Sequence, residues 1–297
     1  MLSKMILAGL VALSCAAAPA LAQELTGTLK KIKDTNTIVI GHRESSIPFS
    51  YLDDKQQPVG YAMDLCYKVV DAVKKQLNLP NLQVKLNPVT SQTRIPLITN
   101  GTIDMECGST TNSLERQKQV AFGVSYYVTE IRMVTKASSG VKSLSDLNGK
   151  AVVTTTGTTS DRLIREHEKG KSIDVKNLYG KDHAESFLMV ETDRAAAFVM
   201  DDILIAGLIA NSKNPKDFVI VGETLRVEPY GVMLRKDDPQ FKKVVDDTLS
   251  ALMKSGEAEK LYNKWFMSPI PPKGINLNLP LGSHLREAFK NPNDKGI

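Results

Sequence analysis

The sequence has no dense run of lysine or arginine. Its 38 basic residues exceed its 33 acidic ones by 5 over 297 residues, and they are scattered along the chain. A nucleic-acid partner selects a basic stripe or patch, so none is expected. Beyond the N-terminus there is no run of 18 apolar residues, which excludes a hydrophobic helix long enough to span a bilayer. Cysteine is scarce: of three, Cys15 lies in the leader, leaving Cys66 and Cys107. Neither has metal-ligand spacing with a histidine, and neither a metal nor a cofactor is expected. The turn Gly157-Thr158-Thr159-Ser160 resembles a phosphate cradle but lacks the lysine of a P-loop, so nucleotide binding is not indicated.

What is present begins with a leader. Lys4 supplies a positive start, "MILAGLVALSCAAAPA" an apolar core, and Ala20-Leu21-Ala22 a small-x-small cleavage site before Gln23. Residues 1–22 are therefore expected to be a signal peptide, removed on export. Cys15 follows Ala12-Leu13-Ser14, which fits a lipid-attachment pattern poorly, so cleavage after Ala22 is preferred. An exported chain with two cysteines favours a Cys66–Cys107 disulfide, with two separate buried thiols as the alternative.

The remaining length suits two lobes, since single cores stop growing at roughly 250 to 300 residues. Strand and helix patterns alternate through the chain. "NTIVIGHR" reads as a strand, and "AMDLCYKVVDAVKKQL" as a helix with Leu65, Val69, Val73 and Leu77 at four-residue spacing. "LQVKLNPV" is a strand, "SQTRIPLITNG" a short helix and "TIDMECG" a strand. A second set runs through "KAVVTTTGTTSDRLIREH" and "AAAFVMDDILIAGLIA", with Asp201 where strand gives way to helix. Such βα alternation predicts mixed, mostly parallel sheets flanked by helices. "VSYYVTEIRMV" and "RVEPYGVMLRK" suit two strands crossing between lobes. Lobe 1 is then discontinuous, 23–126 and 230–297, and lobe 2 is 127–229.

Ligands of open α/β sheets bind beyond the carboxyl ends of strands, where helix N-termini also point. Arg43, Ser91, Arg94, Ser109, Thr111 and Arg116 fall there in the first lobe, and Thr159, His183 and Asp201 in the second. Each has a plainer reading taken singly: the serines as helix caps, the arginines as surface charges, His183 as a structural histidine. The argument rests on their joint placement. The stretch "CGSTTNSLERQ" crowds four hydroxyls, an asparagine and an arginine after an apolar run. Arginine pairs bidentately with carboxylate, helix N-termini add donors, and hydroxyls fill the remaining lone pairs.

The segments "GHRESSIPFSY", "PVTSQTRIPLITNGT", "ECGSTTNSLERQ", "TTTGTTS", "KDHAESF", "FVMDD" and "SGEAEKLYNKWF" resemble those of the periplasmic substrate-binding proteins of polar-amino-acid ABC transporters. The resemblance covers nearly the whole chain after the leader. It implies a two-lobed α/β Venus flytrap of type II, joined by two hinge strands, that closes on one free amino acid and delivers it to a membrane permease. It implies further that Arg116 grips the α-carboxylate and that the turn at Thr159 adds backbone N–H groups. Asp201 takes the α-ammonium together with Ser109 and Thr111. The glutamate/aspartate branch of the family is similar in placing Arg43, Ser91, Arg94 and His183 around the side-chain carboxylate, so L-glutamate or L-aspartate is the expected ligand. Cys66 is unusual for the family at this helix position and is not expected to touch the ligand. The expected protein is a periplasmic monomer without catalytic residues. Two other classes use this fold: an enzyme resembling cyclohexadienyl dehydratase, which needs a free acid/base group, and a sensory module tethered to a transmembrane helix.

Overall fold

The structure is a computed structural model that describes residues 24–297; the expected signal peptide, Cys15 included, lies outside the described residues. In chain order the first part runs α1 (Gly27–Thr35), β1 (Thr37–His42), β2 (Ser45–Ser46), β3 (Ser50–Leu52), β4 (Pro58–Val59), α2 (Tyr61–Leu77), β5 (Gln83–Pro88), α3 (Arg94–Thr99), β6 (Met105–Cys107), α4 (Leu114–Gln117) and β7 (Val120–Phe122). It continues through β8 (Tyr127–Lys136), β9 (Ala151–Thr155), α5 (Thr159–Lys169), β10 (Lys176–Gly180), α6 (His183–Glu191), β11 (Ala197–Asp201), α7 (Asp202–Asn211) and β12 (Phe218–Tyr230). The chain then returns with β13 (Met233–Arg235), α8 (Pro239–Lys254), α9 (Glu257–Phe266) and α10 (Ser283–Lys290).

Two five-stranded sheets share one plan. The first has the order β5-β1-β6-β13-β7 and the second β10-β9-β11-β8-β12. In each, three strands pair in parallel, the fourth runs antiparallel to them, and the fifth pairs antiparallel with the fourth. Four strands of each sheet therefore point the same way. The reversed strand, β13 or β8, is the one that has just crossed from the other sheet. The two crossings lie side by side: Tyr127 is opposite Tyr230, Tyr126 N–H donates to Tyr230 O (3.0 Å), and Gly123 N–H donates to Val232 O (2.9 Å). A Cβ on Gly231 would stand 2.9 Å from Gly123 O, so this pair of backbones needs a glycine.

Burial explains the strand sequences. In β11, Ala197 and Val199 join the cluster that includes Ile164 and Leu163 of α5, while Phe198 and Met200 join the larger core on the opposite face. Alternate residues of a parallel strand point to opposite faces, and here helices cover both, so the strand reads as continuously apolar. In α2 the four expected apolar positions, Leu65, Val69, Val73 and Leu77, are buried, and full burial of such a side chain contributes about 1.5 to 3 kcal/mol. The helix starts at Gly60, where a Cβ would meet Phe49 O at 2.2 Å, and ends at Asn78 in the left-handed region. Cys66 of α2 and Cys107 of β6 form a disulfide with sulfurs 2.03 Å apart. It ties helix to sheet behind the stretch that opens at Gly108, and neither sulfur belongs to the polar cluster described below.

Beyond α9 the chain lies over the first lobe and reaches the second at Lys273, whose Nζ donates to Asn211 O at 2.6 Å. Leu285 and Phe289 of α10 are buried, Ser125 N–H donates to Asn293 O, and Leu114 N–H donates to Ile297 O. Among the described residues no helix is long and apolar enough to cross a membrane.

Candidate functional site

The carboxyl ends of six strands face one another across the two sheets, and each delivers polar residues. From the first lobe, Arg43 follows β1, Ser91 and Arg94 follow β5, and Ser109 to Arg116 follow β6. From the second, Thr159 follows β9, His183 follows β10 and Asp201 ends β11. All nine residues are buried, none more than 8% exposed. Burying so many polar side chains is costly unless they pair with one another or with a ligand.

At one end stand Arg43 and Arg94. Arg43 Nη2 lies 3.3 Å from His183 Nε2. A guanidinium can only donate, so Nε2 accepts and the ring proton sits on Nδ1, which donates to Thr155 Oγ1 at 3.0 Å. Burial, then Arg43 and Arg94, hold the imidazole well below its ordinary titration, which fits this neutral form. Arg94 opens α3 and donates through Nη1 to Thr110 Oγ1 (2.5 Å), which in turn donates to Glu106 Oε2 (2.5 Å). Glu106 Oε1 is 3.9 Å from Arg94 Nη1. Burial first, and the neighbouring Arg94 second, lower the Arg43 guanidinium to about 10, so it stays charged at neutral pH.

At the other end Arg116 lies in the short helix α4, capped by Ser113, whose Oγ accepts from Arg116 N–H at 3.3 Å. Its Nη1 donates to Thr111 O (2.9 Å) and its Nη2 crosses to Gly157 O of the second lobe (3.2 Å). Each nitrogen keeps a second proton for another acceptor. Burial, then Arg94, bring its guanidinium down to about 9, against Glu228, Asp201 and Glu106, which favour the charged form. Thr159 is the first residue of α5, a position whose backbone N–H has no intrahelical acceptor. Asp201 Oδ2 accepts from Tyr230 Oη, and burial, then Glu228, push its carboxyl well above the usual range. Ser109 Oγ donates to Ser46 Oγ at 3.1 Å.

Several buried atoms have no partner among the described residues: Arg43 Nη1, Ser91 Oγ, Arg94 Nε, Glu106 Oε1 and Asp201 Oδ1. Unsatisfied donors cluster on the Arg43–Arg94 side, where Glu106 Oε1 stands 3.9 Å from the Arg94 guanidinium, and an unsatisfied acceptor sits with Asp201 on the Arg116 side. That set complements a small molecule with anionic groups at two ends and a cationic group beside one of them. The lobes also touch directly. A Cβ on Gly157 would come within 2.9 Å of Gln92 Cα, and one on Gly207 within 2.6 Å of Ile47 O. Among the described residues there is no group of three or more histidine, cysteine or acidic side chains that would hold a metal ion.

Residues 38–268 match the model of the bacterial extracellular solute-binding proteins, family 3. The chain belongs to this family. Two family members are similar over almost their whole length. The L-glutamate/L-aspartate-binding protein of Pseudomonas aeruginosa is 53% identical over 94% of this chain and 92% of its own. The glutamate/aspartate import solute-binding protein of Escherichia coli is 52% identical over 91% and 89%. Both are binding proteins, not enzymes. Among solved structures, a mutant of ArgBP from T. maritima superimposes with a TM-score of 0.71 at 28% identity, covering 80% of this chain and 98% of that one. The cysteine-binding protein from Campylobacter jejuni gives 0.71 at 23% identity over 81% and 93%, a likeness of fold. The two-lobed type II architecture of this family is the architecture seen here.

Sequence reasoning named nine residues of this cluster and passed over other buried ones, among them Glu106, Glu228 and Tyr230. Glu106 and Glu228 are fully buried in strands. A signal did exist, because "MEC" and "VEPY" each place a lone glutamate inside an apolar strand pattern, where an unpaired charge would be costly.

Proposed function

We propose that this chain captures L-glutamate or L-aspartate between its lobes in the periplasm and, as a monomer, hands it to the membrane permease of an ABC importer. The observation that carries the reading is the buried cluster in which Arg43, Arg94 and Arg116 converge while Asp201 keeps an acceptor free. Arg116 and the α5 N-terminus at Thr159 take the α-carboxylate end. Asp201 takes the α-ammonium with Ser109 and Thr111, whose hydroxyl proton goes to Glu228 and leaves its oxygen to accept. Arg43, Arg94 and Ser91 take the side-chain carboxylate, with neutral His183 orienting Arg43. A neutral side chain would leave a guanidinium without its anion, and removing one partner of a buried pair costs about 3 to 5 kcal/mol. The names of the two relatives more than 50% identical to this chain point to the same ligands.

The lobe limits belong to the same reading. Lobe 1 is 23–126 with 230–297 and lobe 2 is 127–229, supported by sheet membership and by the adjacent crossings at 123–126 and 231–232. Export rests on the leader at residues 1–22. Calorimetric titration of the ligand-stripped protein with each of the twenty amino acids is the test. Glutamate and aspartate should bind tightest, glutamine and asparagine weakly, and arginine and leucine not at all. A neutral or basic amino acid binding more tightly than both acidic ones would overturn the reading.

A further inference from the structure

Glu228, in β12 where the chain turns back toward the first lobe, belongs to neither set of residues that the ligand reading assigns. Its side chain is completely buried. One oxygen, Oε2, accepts two hydroxyls at once: Thr111 Oγ1 at 2.5 Å and Thr159 Oγ1 at 2.7 Å. Thr111 comes from the first lobe and Thr159 from the second. The other oxygen, Oε1, is held by Arg226, with Nε at 2.8 Å and Nη2 at 2.7 Å. Arg226 Nη2 also donates to Thr159 O at 3.2 Å, so the same guanidinium grips both the carboxylate and the first turn of α5. Beside it, Asn112 N–H of the first lobe donates to Pro229 O of the second at 2.8 Å, and Thr111 bridges to Tyr230 within the first lobe.

We infer that Glu228 is a positioning residue that clasps the two lobes in the closed form, by holding Thr111 of one lobe and Thr159 of the other on a single carboxylate oxygen. A carboxylate is suited to this task because it accepts only and has lone pairs enough for two hydroxyls and a bidentate guanidinium. The clasp aligns Thr111, assigned to the α-ammonium, with Thr159, assigned to the α-carboxylate. It also adds a buried anion beside Arg116. The hydroxyl pair can exist only when the lobes are together, so its contribution falls on the closed state and on ligand release rather than on capture. The inference rests on the acidic-amino-acid reading above for its probe, and glutamate binding by the wild type separates the two. Without that binding the ligand reading fails, and with it the variants below judge the clasp.

The test is stopped-flow binding of glutamate to full-length mature wild type, Glu228→Gln, Thr159→Val, Thr159→Ser and the double variant Glu228→Gln/Thr159→Val. Glu228→Gln and Thr159→Val should each weaken binding at least tenfold, mostly as faster dissociation, with association within threefold of wild type. The double variant should be little weaker than the worse single, because both changes remove the same contact. Thr159→Ser keeps the hydroxyl and should recover most of the loss seen with Thr159→Val. Equal affinities of Glu228→Gln and wild type, or fully additive losses in the double variant, would overturn the clasp. If Glu228→Gln fails to fold, the Thr159→Val and Thr159→Ser pair decides: equal dissociation rates in the two would sink the proposal.

Discussion

A guanidinium taken out of water needs an anion or several acceptors in its place, and the three buried arginines are supplied differently. Arg116 has two backbone carbonyls and the nearby Asp201 and Glu228, whereas Arg94 has one threonine hydroxyl and a carboxylate 3.9 Å away. Arg116→Ala should therefore abolish binding of every amino acid, because it removes the partner proposed for the α-carboxylate they all share. Arg94→Ala should cost glutamate a few hundredfold, about 3 kcal/mol or more, while narrowing its lead over glutamine. Titration calorimetry with both ligands checks this, and equal losses for the two would move Arg94 away from the side-chain end. His183 carries a pH dependence whose sign follows from its burial. The unfolded chain takes a proton on this ring near pH 6.5, while the folded protein does so only well below. Between those limits the unfolded state binds more protons, so stability falls as pH drops below about 6.5, by up to about 1.4 kcal/mol per pH unit. Urea denaturation at pH 7 and pH 5.5 should show a smaller loss in His183→Gln than in wild type; an identical loss would mean the ring is not held neutral. At this scale the arginines and hydroxyls were legible because strand ends are where an open α/β sheet presents ligands. Glu228 was not, because its partners Thr111 and Thr159 are 117 and 69 residues away and meet it only after both lobes have formed.

Elements position these residues through close backbone contacts that few side chains tolerate. Gly207 sits inside α7, with the carbonyl oxygen of Ile47 only 2.6 Å from where its Cβ would be. Within the helix alone, alanine would be better than glycine by about 1 kcal/mol. Across the cleft it would collide with the first lobe. Gly207→Ala is thus expected to leave the melting temperature of the ligand-free protein equal or higher while weakening glutamate binding at least tenfold. Differential scanning fluorimetry and calorimetry on one preparation separate the two effects. Undiminished affinity would show that the Ile47 segment yields at little cost. The element pattern itself was largely legible: α2, β6, β9, β11 and α7 lie where periodicity and turn residues put them. Two features were not. "RVEPYGVMLRK" is not one strand but the end of β12 and all of β13, divided at Gly231-Val232, where a Cβ on Gly231 would stand 2.9 Å from the crossing backbone at Gly123. "LQVKLNPV" was legible as a strand but not as an edge: β5 ends the sheet order, with Leu86 37% exposed. Periodicity does not distinguish an edge from an interior position, since that depends on which strand the neighbour turns out to be.

In the whole molecule, the two lobes repeat one topology and meet through groups that are satisfied only together. Arg116 to Gly157, Arg43 to His183 and Thr111 to Thr159 through Glu228 are each contacts between lobes. Opposing them, the free atoms of Arg43, Arg94 and Asp201 are buried without partners, so closure without a ligand carries a penalty that a complementary ligand removes. A ligand shifts the balance between open and closed forms only by the contacts it adds in one of them. Saturating glutamate should therefore reduce the radius of gyration and, at a thousandfold excess over Kd, add about 4 kcal/mol of stability. Asp201→Ala deletes the second-lobe partner proposed for the ammonium but leaves the first-lobe arginines proposed to hold carboxylates. It also removes the buried acceptor of Tyr230 Oη. The variant should bind glutamate weakly through one lobe and stay expanded when saturated. Small-angle scattering of both proteins with and without glutamate tests this. A wild type that does not contract would refute closure, and a variant that contracts as fully as wild type would show that Asp201 is not what couples the ligand to the second lobe.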